Sequence, residues 1–181
     1  PYSPLHRLLL ADWEVPLVMT SGNLSEEPQC IDNADAARRL GTLADFTLLH
    51  DREIVNRVDD SVVRHMAGAP RLLRRARGYA PAPIRLPAGF AEAPPILALG
   101  GELKSTFCIL RDGEAILSQH LGDLEDARTA RELETTLGLY LELFQHRPEC
   151  IAVDLHPDYR ATLRGRDHAA RDGRPLFGVQ H

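Results

Sequence analysis

An α/β fold is predicted for this chain by three patterns. Short apolar runs bounded by turn-forming residues recur along it, at 17–19, 46–49, 96–99, 107–110, 115–117, 151–153 and 176–179. Helical segments lie among these runs, three of them with a capping residue in front. From residue 95 onward the order reads βββαβαβ. The 181 residues are enough for one or two domains with a sizeable core.

The elements follow in order. Ser3 before Pro4 reads as an N-cap with proline at the first helical position, and Leu5, Leu8 and Leu9 give that helix an apolar face. Leu17-Val18-Met19 reads as a buried strand closed by the turn Thr20-Ser21-Gly22-Asn23. Asp32 caps a helix through Leu40, with Gly41 at its C′ position. Strand-like runs follow at Phe46–Leu49, Ile54–Val58 and Ser61–Met66. Residues 79–95 are rich in Pro and Ala without regular periodicity, and 86–94 is read as a linker between domains at 1–85 and 95–181. Few contacts are expected across it. Beyond it, Thr129 and Glu132 form a capping box for an amphipathic helix carrying Leu133, Leu137, Tyr140, Leu141 and Phe144. Pro148 ends that helix. Ile151-Ala152-Val153 is a buried strand, Pro157 opens a helix that stops near Gly173, and Leu176–Val179 is the last strand.

Composition narrows the function. No apolar run approaches the roughly 20 residues that cross a membrane. Cys30, Cys108 and Cys150 are odd in number and far apart, as expected of reduced thiols in a cytoplasmic protein. The chain starts with Pro1 and stops at His181 after an apolar run, so a segment of a longer protein is expected. Ser61–Ala91 holds no acid but has Arg64, Arg71, Arg74, Arg75, Arg77 and Arg85, a block suited to phosphate or nucleic acid. A solvated basic loop is the equal alternative. Lys104 is the one lysine beside twenty arginines.

That lysine sits in the most informative stretch. The run Ile96–Leu99 ends in Gly100-Gly101, and Lys104-Ser105-Thr106 precedes the next strand. Glycines admit a close backbone approach to an anion, lysine adds charge and hydroxyls add donors, so the turn suits phosphate. It is not a Walker A loop, whose spacing and following helix differ. An ordinary hairpin with a glycine bend fits equally well.

Motifs on both sides of 86–94 resemble one family. A-L-G-G-E-L-K-S-T at 98–106, S-Q-H-L-G-D-L at 118–124, A-V-D-L-H-P-D-Y at 152–159 and P-L-F-G-V-Q-H at 175–181 resemble the HypF carbamoyltransferases of [NiFe]-hydrogenase maturation. They match the start of that family's C-terminal domain. V-M-T-S-G-N-L-S at 18–25, L-L-H-D-R at 48–52, R-V-D-D-S-V-V-R at 57–64 and L-R-R-A-R-G-Y-A-P at 73–81 resemble the end of its YrdC-like domain. The resemblance implies a fold: the C-terminal part of a YrdC-like twisted mixed sheet with helices. After it comes the first lobe of an actin-like ATPase, whose β-hairpin-first order βββαβαβ matches 95–181.

The resemblance also implies chemistry. Carbamoyl phosphate and ATP would give a carbamoyl-adenylate, and the carbamoyl group would pass to the C-terminal cysteine of HypE, the precursor of the iron cyanide ligands. The intact protein would be a ligase of the EC 6.2 type and a transferase, and this segment alone would be inactive. Ser21, Asn23, Ser61 and Arg74 would contact the adenylate. Gly100, Gly101, Lys104 and Ser105 would cradle nucleotide phosphate. His181 aligns with the first histidine of the family's V-Q-H-H-H-A-H and would ligate a divalent metal, zinc or iron. The rest of that motif, the K-x-R half of the nucleotide site, an acylphosphatase domain and a zinc-binding region would lie outside the segment. His120 and His156 fall in matched motifs without a clear role. His6, His50, His65, His146 and His168 read as structural or surface residues. Two rivals remain: a tRNA threonylcarbamoylation enzyme, and a YrdC-like module that binds double-stranded RNA through its basic block.

Overall fold

The computed structural model describes residues 3–25 and 27–181. The chain folds as two compact units, Pro1–His50 and Asp51–His181.

The first unit holds helices α1 (Pro4–Leu9) and α2 (Asn33–Leu40). Both start where their caps dictate. Ser3 Oγ accepts from the His6 N–H at 3.3 Å, and Asp32 Oδ1 accepts from the Asp35 N–H at 2.7 Å. Gly41 ends α2 with a right-handed φ of −61°, so it is not the left-handed cap its position suggests. It is needed for closeness instead, because a Cβ there would lie 2.5 Å from Ala37 O. Leu17–Met19 and Phe46–Leu49, expected as strands, are irregular and exposed. A strand exists only with a hydrogen-bonding neighbour, and the described residues offer these two runs none.

In the second unit, Ile54–Val58 is also irregular rather than a strand. A hairpin follows, β1 (Val62–Met66) and β2 (Ala69–Arg74), turning on Ala67 and Gly68, both with positive φ. The six-stranded sheet runs β3 (Ile84–Arg85), β6 (Glu114–Leu117), β5 (Phe107–Arg111), β4 (Ile96–Leu99), β7 (Cys150–Asp154), β8 (Leu176–Val179). Pairs from β3 through β4 are antiparallel, and β4–β7 and β7–β8 are parallel. Helix α3 (Ala127–Leu143) connects β6 to β7, and α4 (Arg160–Asp172) connects β7 to β8. The βββαβαβ order expected from residue 95 is therefore the observed order, with β3 added at one edge.

Leu97, Leu99, Phe107, Ile109, Ile151 and Val153 are buried and alternate with half-buried Ala98, Cys108 and Ala152, so one face of the sheet is covered. Helix α3 covers it through Leu133, Leu137 and Tyr140, whose ring meets Phe107 edge-on at 5.0 Å. Helix α4 lies on the same face at Gly165, where a Cβ would come 2.2 Å from Val153 and 3.2 Å from Leu99. Helix α3 begins three residues before the expected capping box. Asp126 Oδ1 accepts from the N–H groups of Arg128 and Thr129, both at 2.9 Å, which leaves Thr129 buried inside the first turn.

The stretch at 86–94, read as a linker, has both flanks in this one sheet. Ile84 and Arg85 pair with Ala115 and Glu114, and Leu86 N–H donates to Gly113 O at 2.9 Å. Residues 51–60 are fastened to the β6–α3 region as well. Gln119 Nε2 donates to Asn56 Oδ1 and Arg57 O, each at 3.2 Å, and Tyr140 O–H donates to Gln119 Oε1 at 3.0 Å. Arg57 pairs with Glu132 at 2.5 Å. The polar side chains that spoil the apolar alternation of 54–58 are thus the ones consumed by these contacts.

Candidate functional site

The parallel strands β4, β7 and β8 end at one edge of the sheet, where open α/β sheets bind ligands. Three pieces of chain meet there: the turn after β4, the loop after β7, and His181 after β8. Gly100 N–H donates to Thr106 O at 3.1 Å, and a Cβ on Gly100 would lie 2.8 Å from that oxygen, so only glycine fits. Gly101 faces the Tyr159 ring, 3.9 Å from where its Cβ would be. The Tyr159 ring stacks on His156 with centroids 4.1 Å apart and lies 6.2 Å from the His181 ring.

Asp154 organises this edge. Its Oδ1 accepts from the His156 N–H at 2.7 Å, and its Oδ2 lies 2.8 Å from His181 Nδ1. The His156 N–H first, and His181 after it, hold the Asp154 carboxyl below the usual carboxylate range against the opposing effect of burial. A carboxylate only accepts, so Nδ1 of His181 carries the hydrogen, and in its neutral form the ring offers Nε2 as an acceptor. Among the described residues no group of three or more His, Cys, Asp or Glu is placed to hold a metal. His181 supplies one oriented nitrogen, which does not make a metal centre.

The glycine turn holds one residue that its sequence did not advertise. Glu102 is buried, and its carboxylate accepts from the Arg160 N–H at 2.6 Å. Tyr159, the N-cap of α4, makes no side-chain cap bond, so Glu102 caps that helix from the neighbouring turn. A buried acid inside a phosphate cradle opposes an anion unless helix and lysine outweigh it. Lys104 is exposed and has a positive φ of 52°. Ser105 is buried, its N–H donating to Gly122 O at 2.8 Å, while its Oγ has no partner among the described residues. The turn thus brings Gly100, Gly101, Lys104 and Ser105 to the same edge as His181.

The other expected site residues are elsewhere. Ser21 and Asn23 lie in the first unit, in a turn where Ser21 Oγ donates to Asn23 Oδ1 and Asn23 Nδ2 donates to Leu24 O at 2.8 Å. Ser61 is spent on the backbone: its Oγ donates to Arg77 O and accepts from the Ala76 N–H, both at 2.9 Å. Arg74 ends β2 with its guanidinium 3.9 Å from Asp59. The basic block is partly consumed internally. Arg75 donates to Tyr79 O and Ala82 O, and Arg77 pairs with Asp60 at 3.1 Å. His146, expected to be structural, has Nε2 3.1 Å from Ile96 O, and burial pushes its pKa down. All three cysteines are free, and burial pushes the Cys108 and Cys150 thiols up, which suits inert packing.

Sequence reasoning missed Glu102, Asp154 and Tyr159 as members of the site. Asp154 had a signal: an acid ending a buried parallel strand belongs at the ligand edge. Glu102 had none, because its partner is 58 residues away.

Two family models cover nearly the whole chain. The model described as "HypF Kae1-like domain" matches residues 91–181, and the Sua5/YciO/YrdC model, described as "Telomere recombination", matches 1–76. The chain belongs to the HypF family. It is 50% identical over 181 residues to "Carbamoyltransferase HypF" of Rhodobacter capsulatus and 47% identical over 180 residues to that of Synechocystis sp.. These matches cover 100% and 99% of the chain but 24% and 23% of the relatives, so the chain spans about a quarter of their length. A crystal structure of full-length HypF in the phosphate- and nucleotide-bound form superposes with a TM-score of 0.89 at 44% identity, over 100% of this chain and 28% of that one. The HypF structure of T. kodakarensis gives 0.82 at 33% identity, over 90% and 21%. The mixed α/β architecture is thus that of a YrdC-like part followed by a Kae1-like, actin-like ATPase-type part.

Proposed function

We propose that this chain is the middle of a carbamoyltransferase of hydrogenase maturation. The intact protein forms carbamoyl-adenylate from carbamoyl phosphate and ATP, as a ligase of the EC 6.2 type, and passes the carbamoyl group to the C-terminal cysteine of HypE. One observation carries the reading: the likeness to the phosphate- and nucleotide-bound HypF runs along the whole chain, across both family models.

Within the reading, Ser21, Asn23 and Arg74 serve the adenylate, and Gly100, Gly101, Lys104 and Ser105 serve nucleotide phosphate. Ser61 acts indirectly, by holding the Ala76–Arg77 backbone beside Arg74. His181 would offer Nε2 as one ligand to a divalent metal whose other ligands are not among the described residues. The boundary between the two parts is assigned to 86–94, which follows the end of the first family match at residue 76 and spans the start of the second at residue 91. No described helix is long and apolar enough to cross a membrane. A cytoplasmic setting, and inactivity of the 181-residue segment alone, belong to the same proposal.

The test uses the full-length protein. Carbamoyl-phosphate-dependent ATP–pyrophosphate exchange reports the adenylate, and mass spectrometry of HypE reports transfer. Replacing Ser21 and Asn23 together with alanine should slow exchange, each lost bond to a charged group costing about 1.5–3 kcal/mol. Undiminished exchange would remove both from the site. Lys104→Met should leave exchange intact and lower transfer at least about tenfold. Unimpaired transfer would leave the glycine turn as structure only.

A further inference from the structure

Asp59 and His120 hold none of the nucleotide or metal roles above, yet they form a carboxylate–imidazole pair as close as that of Asp154 and His181. His120 Nδ1 lies 2.8 Å from Asp59 Oδ2, and both side chains are largely buried, 13% and 25% exposed. The backbone fixes each partner to the same short segment: His120 N–H donates to Arg75 O at 2.9 Å, and Arg77 N–H donates to Asp59 O at 3.1 Å. Ser61 clamps that segment from the other side. Because the carboxylate only accepts, Nδ1 carries the hydrogen, and in the neutral form of the ring Nε2 carries the lone pair. Nε2 has no hydrogen-bond partner among the described residues. Beside the ring, the chain passes at Gly122, with a φ of +112°, where a Cβ would lie 4.0 Å from His120 Cε1.

A structural tie would also use such a pair. Here the tie is already supplied next door, where Gln119 fastens the same 56–57 segment with two hydrogen bonds and Arg57 adds an ion pair. The dyad contributes something the tie does not need: a base in a fixed tautomer, next to a guanidinium. Arg74 lies 3.9 Å from the same Asp59 oxygen and is 41% exposed, so it can meet an anion while Asp59 steers both groups.

We propose that His120, aligned by Asp59, is the general base for the acceptor thiol in the transfer step, with Arg74 facing the phosphate that leaves. This rests on the carbamoyltransferase reading. The thiol S–H bond breaks and its proton goes to His120 Nε2. The sulfur forms a bond to the carbamoyl carbon, and the bond from that carbon to the adenylate phosphate oxygen breaks with its electron pair. AMP leaves, the thiocarbamate remains on the acceptor, and the imidazolium returns its proton to solvent. Nothing is oxidised or reduced.

The experiment uses full-length protein with ATP, carbamoyl phosphate and HypE as acceptor. Exchange and single-turnover transfer are measured for the unaltered protein, His120→Gln and His120→Gly, the last with and without added imidazole. His120→Gln should keep exchange within about twofold and lose at least about 100-fold in transfer, the scale of general-base catalysis. Imidazole should restore transfer to His120→Gly at least about tenfold, which no structural role predicts. Unimpaired transfer in His120→Gln overturns the proposal. So does a parallel fall of exchange, transfer and melting temperature, because that is the behaviour of a tie. If His120→Gly does not fold, the glutamine variant decides. Absence of exchange in the unaltered protein strikes the carbamoyltransferase reading instead.

Discussion

Pro1–His50 and Asp51–His181 carry similar local signals and end differently. The first has two helices, each started by its expected cap, and no buried residue among those described. The second buries a continuous cluster from Leu97 to Ala169 between one sheet face and two helices. The runs Leu17-Val18-Met19 and Ile151-Ala152-Val153 have comparable strand propensity. Ile151 is fully buried because β4 and β8 flank it, whereas Val18 is fully exposed. The caps of α1 and α2 are settled within one turn of chain, but a strand is settled by its neighbours. The difference between the units is a difference in pairing.

The largest effect should come from the covered face. Phe107 is buried against Tyr140, and Phe107→Ala should cost about 3–5 kcal/mol, from lost burial plus the cavity left behind. Urea unfolding of the 181-residue chain, followed by Tyr and Trp fluorescence, measures it. A loss below about 1 kcal/mol would mean that the core collapses freely there and that the units differ less than their burial implies.

Next comes the polar layer beneath the 51–60 segment. Burial pushes the Tyr140 phenol up, so it stays a donor, and it gives its hydrogen to Gln119. Gln119→Leu leaves the Tyr140 hydroxyl and Asn56 without that partner and should cost about 1–3 kcal/mol. Proteolysis should then cut first within 51–60. Cutting first at 86–94, with 51–60 still protected, would show that the segment does not depend on Gln119.

The sequence disclosed the Kae1-like part better than the YrdC-like part, for physical reasons. The strands after residue 95 are consecutive hairpins and short crossovers, so alternation, turns and caps agree with the final topology. Residues 54–58 looked like a strand by apolar content, but Asn56, Arg57 and Asp59 are bound to Gln119, to Glu132 of α3 and to His120, contacts more than 60 residues away. The glycine turn was legible as an anion candidate, since Gly100 and Lys104 are local signals. Its buried acid was not, because Glu102 reaches across to the start of α4. The block Ser61–Ala91 read as charge suited to phosphate or nucleic acid, or as a solvated loop, and three of its six arginines, Arg74, Arg75 and Arg77, have internal partners. Charge is visible in a sequence; its partners are not.

A smaller effect is expected at the start of α3. Asp126→Ala should cost about 1 kcal/mol, the worth of a carboxylate N-cap. The N–H of Thr129, and then that of Arg128, hold the Asp126 carboxyl below its ordinary value. A folded pKa below the unfolded one gives stability that is complete above the unfolded value, about pH 4, and is lost as pH falls through the lowered folded value. Asp154 adds the same sign at the other end of the unit. Acid titration of unfolding free energy should therefore show a shallower fall below about pH 4 in Asp126→Ala than in the parent. An unchanged slope would mean that the cap survives protonation.

The smallest effect should come from the apolar residues of the first unit. Val18 is fully exposed and Phe46 is 93% exposed, so neither loses surface to water when changed. In the 181-residue chain, Val18→Ser and Phe46→Ser should each shift stability by no more than about 0.5 kcal/mol, the range of surface substitutions. Phe107→Ala in the same chain is expected to cost several times that, and the ratio is the sharpest form of the comparison. The full-length protein gives the complementary measurement. Those apolar runs have the composition of strands, and a strand neighbour supplied there would bury them. Val18→Ser would then cost about 1–3 kcal/mol in the full-length protein while remaining near zero in the segment. Equal, near-zero effects in both would mean that Leu17–Met19 stays unpaired in the longer chain, and that propensity without a partner is all that this run ever had.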